Sequence, residues 1–202
     1  MDDMAAVIEE AARSSSLFQP AVWLRLTPQV QLARDAMFRG TVGRVRSVEI
    51  SLPGDQTLLG SGFHAVDLAQ YFLDGFDRVS ARSLTTVRAM SLSSRSGVPC
   101  EIRLGDWKPV FCAIRGDRGA IELGWRESLV LRTGKPAVCI GETIDEKDGQ
   151  RLAAAEFAEA LRTGGRAWTS LEDLSEIVEV LRAASQSLVR GDEFEVAQPL
   201  AA

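Results

Sequence analysis

The chain has 202 residues, of which 46% are apolar and 25% are charged, a composition typical of one globular domain with a sizeable core. Its net charge is -5, and its basic residues are spread along the sequence, which disfavours a nucleic-acid partner. No apolar run approaches the roughly 18 to 20 residues that a membrane span needs, and the acidic N-terminus does not resemble a secretory signal. We therefore expect a cytoplasmic protein with no membrane partner.

The three cysteines, Cys100, Cys112 and Cys139, are too far apart in the sequence to form a short zinc-binding pair, and the chain has a single histidine. Each cysteine lies in a strand-like run, where a small buried thiol is the ordinary explanation. The sequence therefore predicts no metal site and no disulfide.

The first half of the chain predicts alternating helices and strands. Helical spacing, β-branched runs and the Gly and Pro residues between them define the boundaries. The predicted elements are a helix over 4–13, a strand over 21–26, a helix from Pro28 to Gly40 capped by Thr27, a strand over 42–52 and a helix that begins near Phe63 and ends near Gly75.

From about residue 77 to 141, short apolar runs alternate with hairpin-like turns, which predicts a meander of five or six antiparallel strands. The C-terminal third returns to helical spacing, with one helix over 150–165 that ends at Gly164 and Gly165 and another over 169–191 that ends at Gly191. Thr169 and Glu172 have the spacing of a capping box at the start of the last helix.

This order of elements predicts an α+β fold, with a largely antiparallel open sheet and helices packed on one face. Runs such as VFCAI and LVL contain more consecutive apolar residues than a solvated sheet face would carry. We therefore expect the open face to be covered by another copy of the chain, in a homodimer or larger homo-oligomer.

Three segments, taken in order, resemble a known protein family. The first segment, residues 23–51, has Arg25, Pro28 and Gly40 at characteristic spacings. The second, residues 60–73, has the sequence GSGFHAVDLAQYFL, and the third, residues 153–191, is a predicted pair of helices that closes the domain. Together they resemble the C-terminal domain of the Gfo/Idh/MocA oxidoreductases, the family of glucose-fructose oxidoreductase and inositol dehydrogenase.

The resemblance implies an NAD(P)-dependent enzyme acting on sugar or polyol derivatives, in which a Rossmann domain precedes an α+β substrate and oligomerisation domain. Residues 1–17 would be the remnant of the last Rossmann helix, and 18–202 the α+β domain. The sequence has no G-x-G-x-x-G turn, and Lys135-Pro136 follows a glycine instead of the family's glutamate. We expect this chain alone to bind no NAD(P), which a separate nucleotide-binding domain would have to supply.

The resemblance also suggests site residues. His64 matches the family's catalytic histidine, but Gly60 stands where the family has an aspartate, which breaks the expected proton relay. Asp67 could orient the imidazole or bind substrate, and Arg25 could bind an anionic substrate group. Structural hydrogen bonds for His64 and Asp67, and a salt bridge for Arg25, remain alternatives, as does a non-catalytic binding or scaffolding function for the whole chain.

Overall fold

The structure is a computed structural model. It describes residues 2–14, 16–125, 129–134, 138–140, 146–166 and 168–198. The helices in this part are α1 (Asp2–Arg13), α2 (Pro28–Phe38), α3 (Phe63–Phe72), α4 (Glu146–Thr163) and α5 (Leu171–Arg190). The strands are β1 (Val45–Leu52), β2 (Phe76–Ser83), β3 (Arg88–Ser94), β4 (Pro99–Leu104), β5 (Val110–Gly116), β6 (Ala120–Gly124), β7 (Leu129–Arg132), β8 (Val138–Ile140) and β9 (Phe194–Glu195). A 3₁₀ turn, Leu24–Leu26, precedes α2, and a wide π-type turn, Leu58–Gly62, leads into α3.

The described strands form one open, nine-stranded sheet in the order β8-β7-β6-β5-β1-β4-β3-β2-β9. Every neighbouring pair is antiparallel except β1 and β4, which run parallel with Ile50 opposite Ile102. The predicted α+β class with a largely antiparallel open sheet is confirmed.

The core lies between one face of the sheet and the helices. Alternate residues of β1 and β4, such as Ile50 and Ile102, are almost completely buried, as expected when one sheet face packs on helices. Helix α5 packs on β2, α3 on β1 and β4, and α2 on β6 and β7. Cys100 and Cys112 are buried in this core, as the strand-like runs around them predict.

The opposite sheet face is polar, which corrects the expectation of an apolar face that needs a cover. Register places Glu122, Ala113, Glu49, Glu101 and Ser91 side by side in one row across the sheet. The run VFCAI that suggested an apolar face has Phe111, Cys112, Ala113 and Ile114 already buried within the chain. Consecutive apolar residues therefore do not signal a second apolar face here.

The predicted strand over 21–26 is wrong. Leu24–Leu26 form a 3₁₀ turn in which the Leu26 amide donates to the Trp23 carbonyl, and all three side chains are buried. A strand would alternate its side chains between two faces, whereas burying Leu24, Arg25 and Leu26 together needs a turn.

The predicted meander is also only partly right. β1 lies between β4 and β5, so the consecutive strands β4 and β5 are not neighbours. Hydrophobic alternation identifies strands but carries no information on their order in the sheet. The short edge strand β9 was not predicted, and the capping box uses Ser170 and Asp173, one residue later than predicted.

The N-terminal helix α1 lies against α5. The division at residue 17 into a Rossmann remnant and an α+β domain stays a prediction. Among the described helices, none combines the length and the apolar character needed to cross a membrane.

Candidate functional site

The site centres on the start of α3, at the end of the sheet where β1 and β4 finish. The Gly105 amide, just after β4, donates to the carbonyl of Leu52, the last residue of β1. From β1 the chain passes through residues 53–57 and the turn Leu58–Gly62 into α3, whose second residue is His64. The His64 side chain is half-buried, so it is neither sealed in the core nor fully in solvent.

A small hydrogen-bond network shapes the turn before His64. The Thr57 hydroxyl accepts from the Gly60 amide at 3.0 Å and donates to Asp55 Oδ2 at 2.8 Å. Asp55 Oδ1 accepts from the Ser61 amide at 3.0 Å. These bonds, from the Ser61 amide first and the Thr57 hydroxyl second, hold the pKa of Asp55 below its ordinary value. An ionised, exposed carboxylate therefore stands at this turn.

This turn does not fit the pyrophosphate of a dinucleotide. A phosphate site at a helix start needs free backbone amides, but those of Gly60, Ser61 and Gly62 are bonded to Thr57 and Asp55. The negative charge of Asp55 would also repel a phosphate. The glycines at 60 and 62 thus shape a turn and do not form a nucleotide cradle.

Beneath α3, Arg25 and Asp67 form a buried ion pair. Arg25 Nε donates to Asp67 Oδ2 at 3.1 Å, and its Nη2 donates to Oδ1 at 2.5 Å, which is a bidentate arrangement. The side chains are 4% and 0% exposed, respectively. Arg25 can reach Asp67 because the 3₁₀ turn directs it inward.

The remaining donors of Arg25 are also used. Nη2 donates to the Asp67 carbonyl at 3.3 Å, while Nη1 donates to the Trp168 carbonyl at 3.5 Å and to Asp173 Oδ2 at 3.4 Å. A guanidinium has five N–H groups, and these bonds together with the two to the Asp67 carboxylate give each of them an acceptor within the chain. Arg25 also lies 5.3 Å from the ring centroid of Tyr71. The geometry suits a clamp between the 3₁₀ turn, α3 and α5.

Burial raises the pKa of Asp67 to about 6, although the Arg25 charge and its hydrogen bonds act in the opposite direction. The Asp173 carboxylate, which shares the guanidinium, adds to the rise. Because Asp173 also neutralises Arg25, protonating Asp67 does not leave the guanidinium without a counter-charge.

The polar network continues along α3 and α5 to a second charged pair. Gln70 Nε2 donates to Glu176 Oε2 at 3.0 Å, and Glu176 Oε1 accepts from the Phe76 amide at 3.0 Å and from Arg95 at 2.8 Å. Sequence reasoning missed Glu176, Asp173 and Gln70. The available signal was the i,i+3 spacing of Asp67 with Gln70 and of Asp173 with Glu176 on otherwise apolar helix stripes.

The structure thus joins two of the predicted site residues and separates the third from them. Arg25 and Asp67 bind each other in the interior, while His64 lies one turn earlier on α3. The roles of these residues toward a substrate stay predictions. Lys135-Pro136 lies outside the described residues. Among the described residues, no group of three or more His, Cys, Asp and Glu could hold a metal ion.

Comparison with known proteins gives a match at the level of fold. No family model and no curated protein sequence matches the chain. Among solved structures, levoglucosan dehydrogenase in complex with NADH and L-sorbose is similar over 98% of this chain and 70% of its own, with a TM-score of 0.82 and 17% identity.

Two further oxidoreductases are similar. Aldose-aldose oxidoreductase from Caulobacter crescentus, complexed with glycerol, has a TM-score of 0.79 and 16% identity over 96% of this chain and 68% of its own. An oxidoreductase from Agrobacterium radiobacter, in complex with NAD⁺, L-tartaric acid and magnesium, has a TM-score of 0.78 and 15% identity over 96% and 69%. The resemblance predicted from the motifs is therefore confirmed: the chain has the fold of Gfo/Idh/MocA-type oxidoreductases.

Proposed function

We propose that this chain is the substrate-binding and oligomerisation part of an oxidoreductase that acts on a sugar or polyol derivative. NAD(P) would be held by a separate nucleotide-binding domain, because the amides of Gly60, Ser61 and Gly62 before α3 are already bonded within the chain and so are not available to a pyrophosphate. The observation that carries the proposal is the half-buried His64 on a helix start at one end of the sheet, in a fold shared with oxidoreductases whose structures contain L-sorbose, glycerol or L-tartaric acid.

In this proposal His64 is the residue that exchanges a proton with a substrate hydroxyl. A neutral imidazole can accept a proton near neutral pH. It could therefore remove the proton of a substrate hydroxyl while the carbon that bears this hydroxyl transfers hydride to a nicotinamide. Arg25 and Asp67 then act indirectly, by fixing α3 against α5, because the donors of Arg25 are already bonded within the chain.

The single histidine makes the binding test direct. We expect the imidazole NMR signals of His64 to shift saturably when levoglucosan or myo-inositol is added, and the signals to be absent in His64→Gln. NADH should give no saturable binding to this chain alone. Unchanged His64 signals up to about 100 mM of either probe, far above the usual range of substrate affinities, would contradict the proposal.

A non-catalytic binding or scaffolding module is the second candidate, and Gly60 is the observation that favours it. A glycine supplies no carboxylate beside His64 for proton transfer. The two functions differ in a reconstituted assay: turnover of a polyol with NAD⁺ after a matching nucleotide-binding domain is added favours the enzyme, and probe binding without turnover favours the module.

A further inference from the structure

Arg34, in the middle of α2, is packed against aromatic rings from two helices. Its Cζ atom lies 4.3 Å from the ring centroid of Tyr71 on α3 and 5.1 Å from that of Phe38, one turn later on α2. These cation–π contacts attract the guanidinium and restrict its motion, but a ring face has no lone pair to accept the N–H groups that lie in the guanidinium plane. The rings therefore hold Arg34 in place without satisfying its donors.

The donors of Arg34 also lack an oxygen acceptor within the described part of the chain. Its Nε is buried and makes no hydrogen bond, and no described carboxylate lies within ion-pair distance of this guanidinium. Asp35, the next residue on α2, is paired with Arg39. Because buried N–H groups are nearly always hydrogen-bonded, the unbonded Nε indicates a place for an acceptor from outside the chain.

The nearby Arg25 shows how the chain satisfies a guanidinium that it uses for its own structure. Arg25 lies 5.3 Å from the ring centroid of the same Tyr71, but it is bonded to the carboxylates of Asp67 and Asp173. The two arginines thus share an aromatic ring and differ in their acceptors. Arg34 is the one of the two whose hydrogen-bonding edge remains available.

We infer that Arg34 is the anion-binding residue of a site between α2 and α3 that takes a small organic acid through its carboxylate. A guanidinium is planar and presents pairs of N–H groups that match the two oxygens of a carboxylate. Because two rings already restrict the side chain, it loses little conformational freedom when such bonds form.

The Phe38 ring provides an apolar surface for the carbon chain of the acid. Its side chain is 69% exposed, although it contacts the Arg34 guanidinium on the same helix. A ligand with a carboxylate and a short carbon chain can therefore bond to Arg34 and cover part of this ring. The inference goes beyond the proposed function, and it does not depend on the role of His64.

The test follows the NMR signal of the Arg34 Nε–H group, identified by its absence in Arg34→Gln, while D-gluconate is added at constant ionic strength. We expect a saturable shift, which sorbitol, a six-carbon polyol without a carboxylate, should not produce. In calorimetry, Arg34→Gln should bind D-gluconate about tenfold more weakly or worse, because the charge-assisted bonds are lost. Arg78→Gln, which removes an exposed arginine from β2 on the other side of the sheet, should bind as the natural chain does.

Arg34→Lys is the second variant in case Arg34→Gln does not fold, because it keeps the positive charge and loses the planar pair of donors. It should also bind D-gluconate more weakly than the natural chain, and amide chemical shifts outside 30–40 and 68–73 report whether each variant is folded. Equal affinity in a folded Arg34 variant overturns the inference, and so does a shift of the Arg34 signal by sorbitol as large as that by D-gluconate. Unchanged Arg34 signals up to about 100 mM of both D-gluconate and acetate, or a response to inorganic phosphate alone, would likewise exclude a carboxylate site.

Discussion

Arg25 connects three separate parts of the chain through one side chain. It binds Asp67 of α3, Asp173 of α5 and the Trp168 carbonyl between α4 and α5. Burying a charged side chain is unfavourable unless it is hydrogen-bonded and paired with an opposite charge. The loss of any one acceptor therefore weakens the whole set of contacts around Arg25. The position of α3, and with it that of His64, therefore depends on Arg25, for which the sequence left substrate binding and a salt bridge as alternatives.

Removing the guanidinium should be strongly destabilising. We expect Arg25→Met to lower the free energy of unfolding by about 3 to 5 kcal/mol, because it leaves the buried Asp67 carboxylate without its counter-charge. Urea unfolding followed by circular dichroism measures the change.

The matched control for Arg25→Met is Arg78→Met, which breaks the exposed pair with Glu193 and should cost less than about 1 kcal/mol. The double variant Arg25→Met/Asp67→Leu removes both charges and should recover part of the loss. Equal costs for Arg25→Met and Arg78→Met would show that the buried pair does not hold the helices together.

The stability of the chain should also depend on pH through Asp67. Burial raises its folded-state pKa to about 6, so the folded protein binds this proton more tightly than the unfolded chain, where the pKa is near 3.8. The stabilising contribution of the proton is complete below about pH 4 and is lost as the pH rises through about 6. Relative to Asp67→Asn, the natural chain should lose up to about 3 kcal/mol over this range.

The comparison uses urea unfolding of both chains at about pH 4, 5.5 and 7. All other titrating groups are common to the two chains, so their effects cancel in the difference. A difference that stays constant with pH, or one that grows in favour of the natural chain as the pH rises, would contradict the assigned rise in the pKa of Asp67.

At the scale of single elements, sequence patterns located most helices and strands but missed local geometry. α5 was predicted because its apolar residues repeat with helical spacing over its whole length, and such a long pattern has few alternatives. The strand predicted over 21–26 is wrong because β-branched and aromatic content cannot reveal that the three consecutive side chains of Leu24–Leu26 are buried together. Arg25 and Asp67 are 42 residues apart, so their pairing depends on tertiary structure alone.

The start of α5 contains two overlapping pairs with capping-box spacing, one residue apart, and the motif alone does not show which pair is used. Thr169 and Glu172 have capping-box spacing, and so do Ser170 and Asp173. The structure uses the second pair: the Ser170 hydroxyl accepts from the Asp173 amide at 3.0 Å, and Asp173 Oδ2 accepts from the Ser170 amide at 3.3 Å. Asp173 can therefore cap the helix and also bind Arg25.

Two substitutions separate these capping assignments. Ser170→Ala removes the capping hydroxyl and should cost about 1 kcal/mol of unfolding free energy. Thr169→Val keeps the buried shape, and the Thr169 hydroxyl has no hydrogen-bond partner among the described residues, so its loss should cost nothing or stabilise slightly. Thermal unfolding of both variants measures the difference, and a larger cost for Thr169→Val would support the sequence-based assignment instead.

At the scale of the whole molecule, contact between two copies through the open sheet face stays a prediction, which now depends on charged side chains and no longer on an apolar surface. The polar row on this face includes Glu49 and Glu122, which bind Arg115 and Arg132 at 3.1 and 2.9 Å within the chain. Glu101 and Arg103, next to each other on β4, have no ion-pair partner among the described residues. An acidic and a basic side chain one step apart on the same face are complementary to the same face of another copy.

We therefore expect a homodimer held partly by Glu101 of each copy and Arg103 of the other, and a dimer mass by light scattering at micromolar concentration. Glu101→Arg places like charges opposite each other and should weaken the dimer at least tenfold, whereas Glu101→Arg/Arg103→Glu restores opposite charges and should restore it. Asp35→Arg, which changes an exposed carboxylate of α2 on the helix-covered side of the sheet, is the control and should leave the mass unchanged. A monomer in the natural chain would exclude the interface, and a double variant as weak as the single one would show that these two residues do not meet across it.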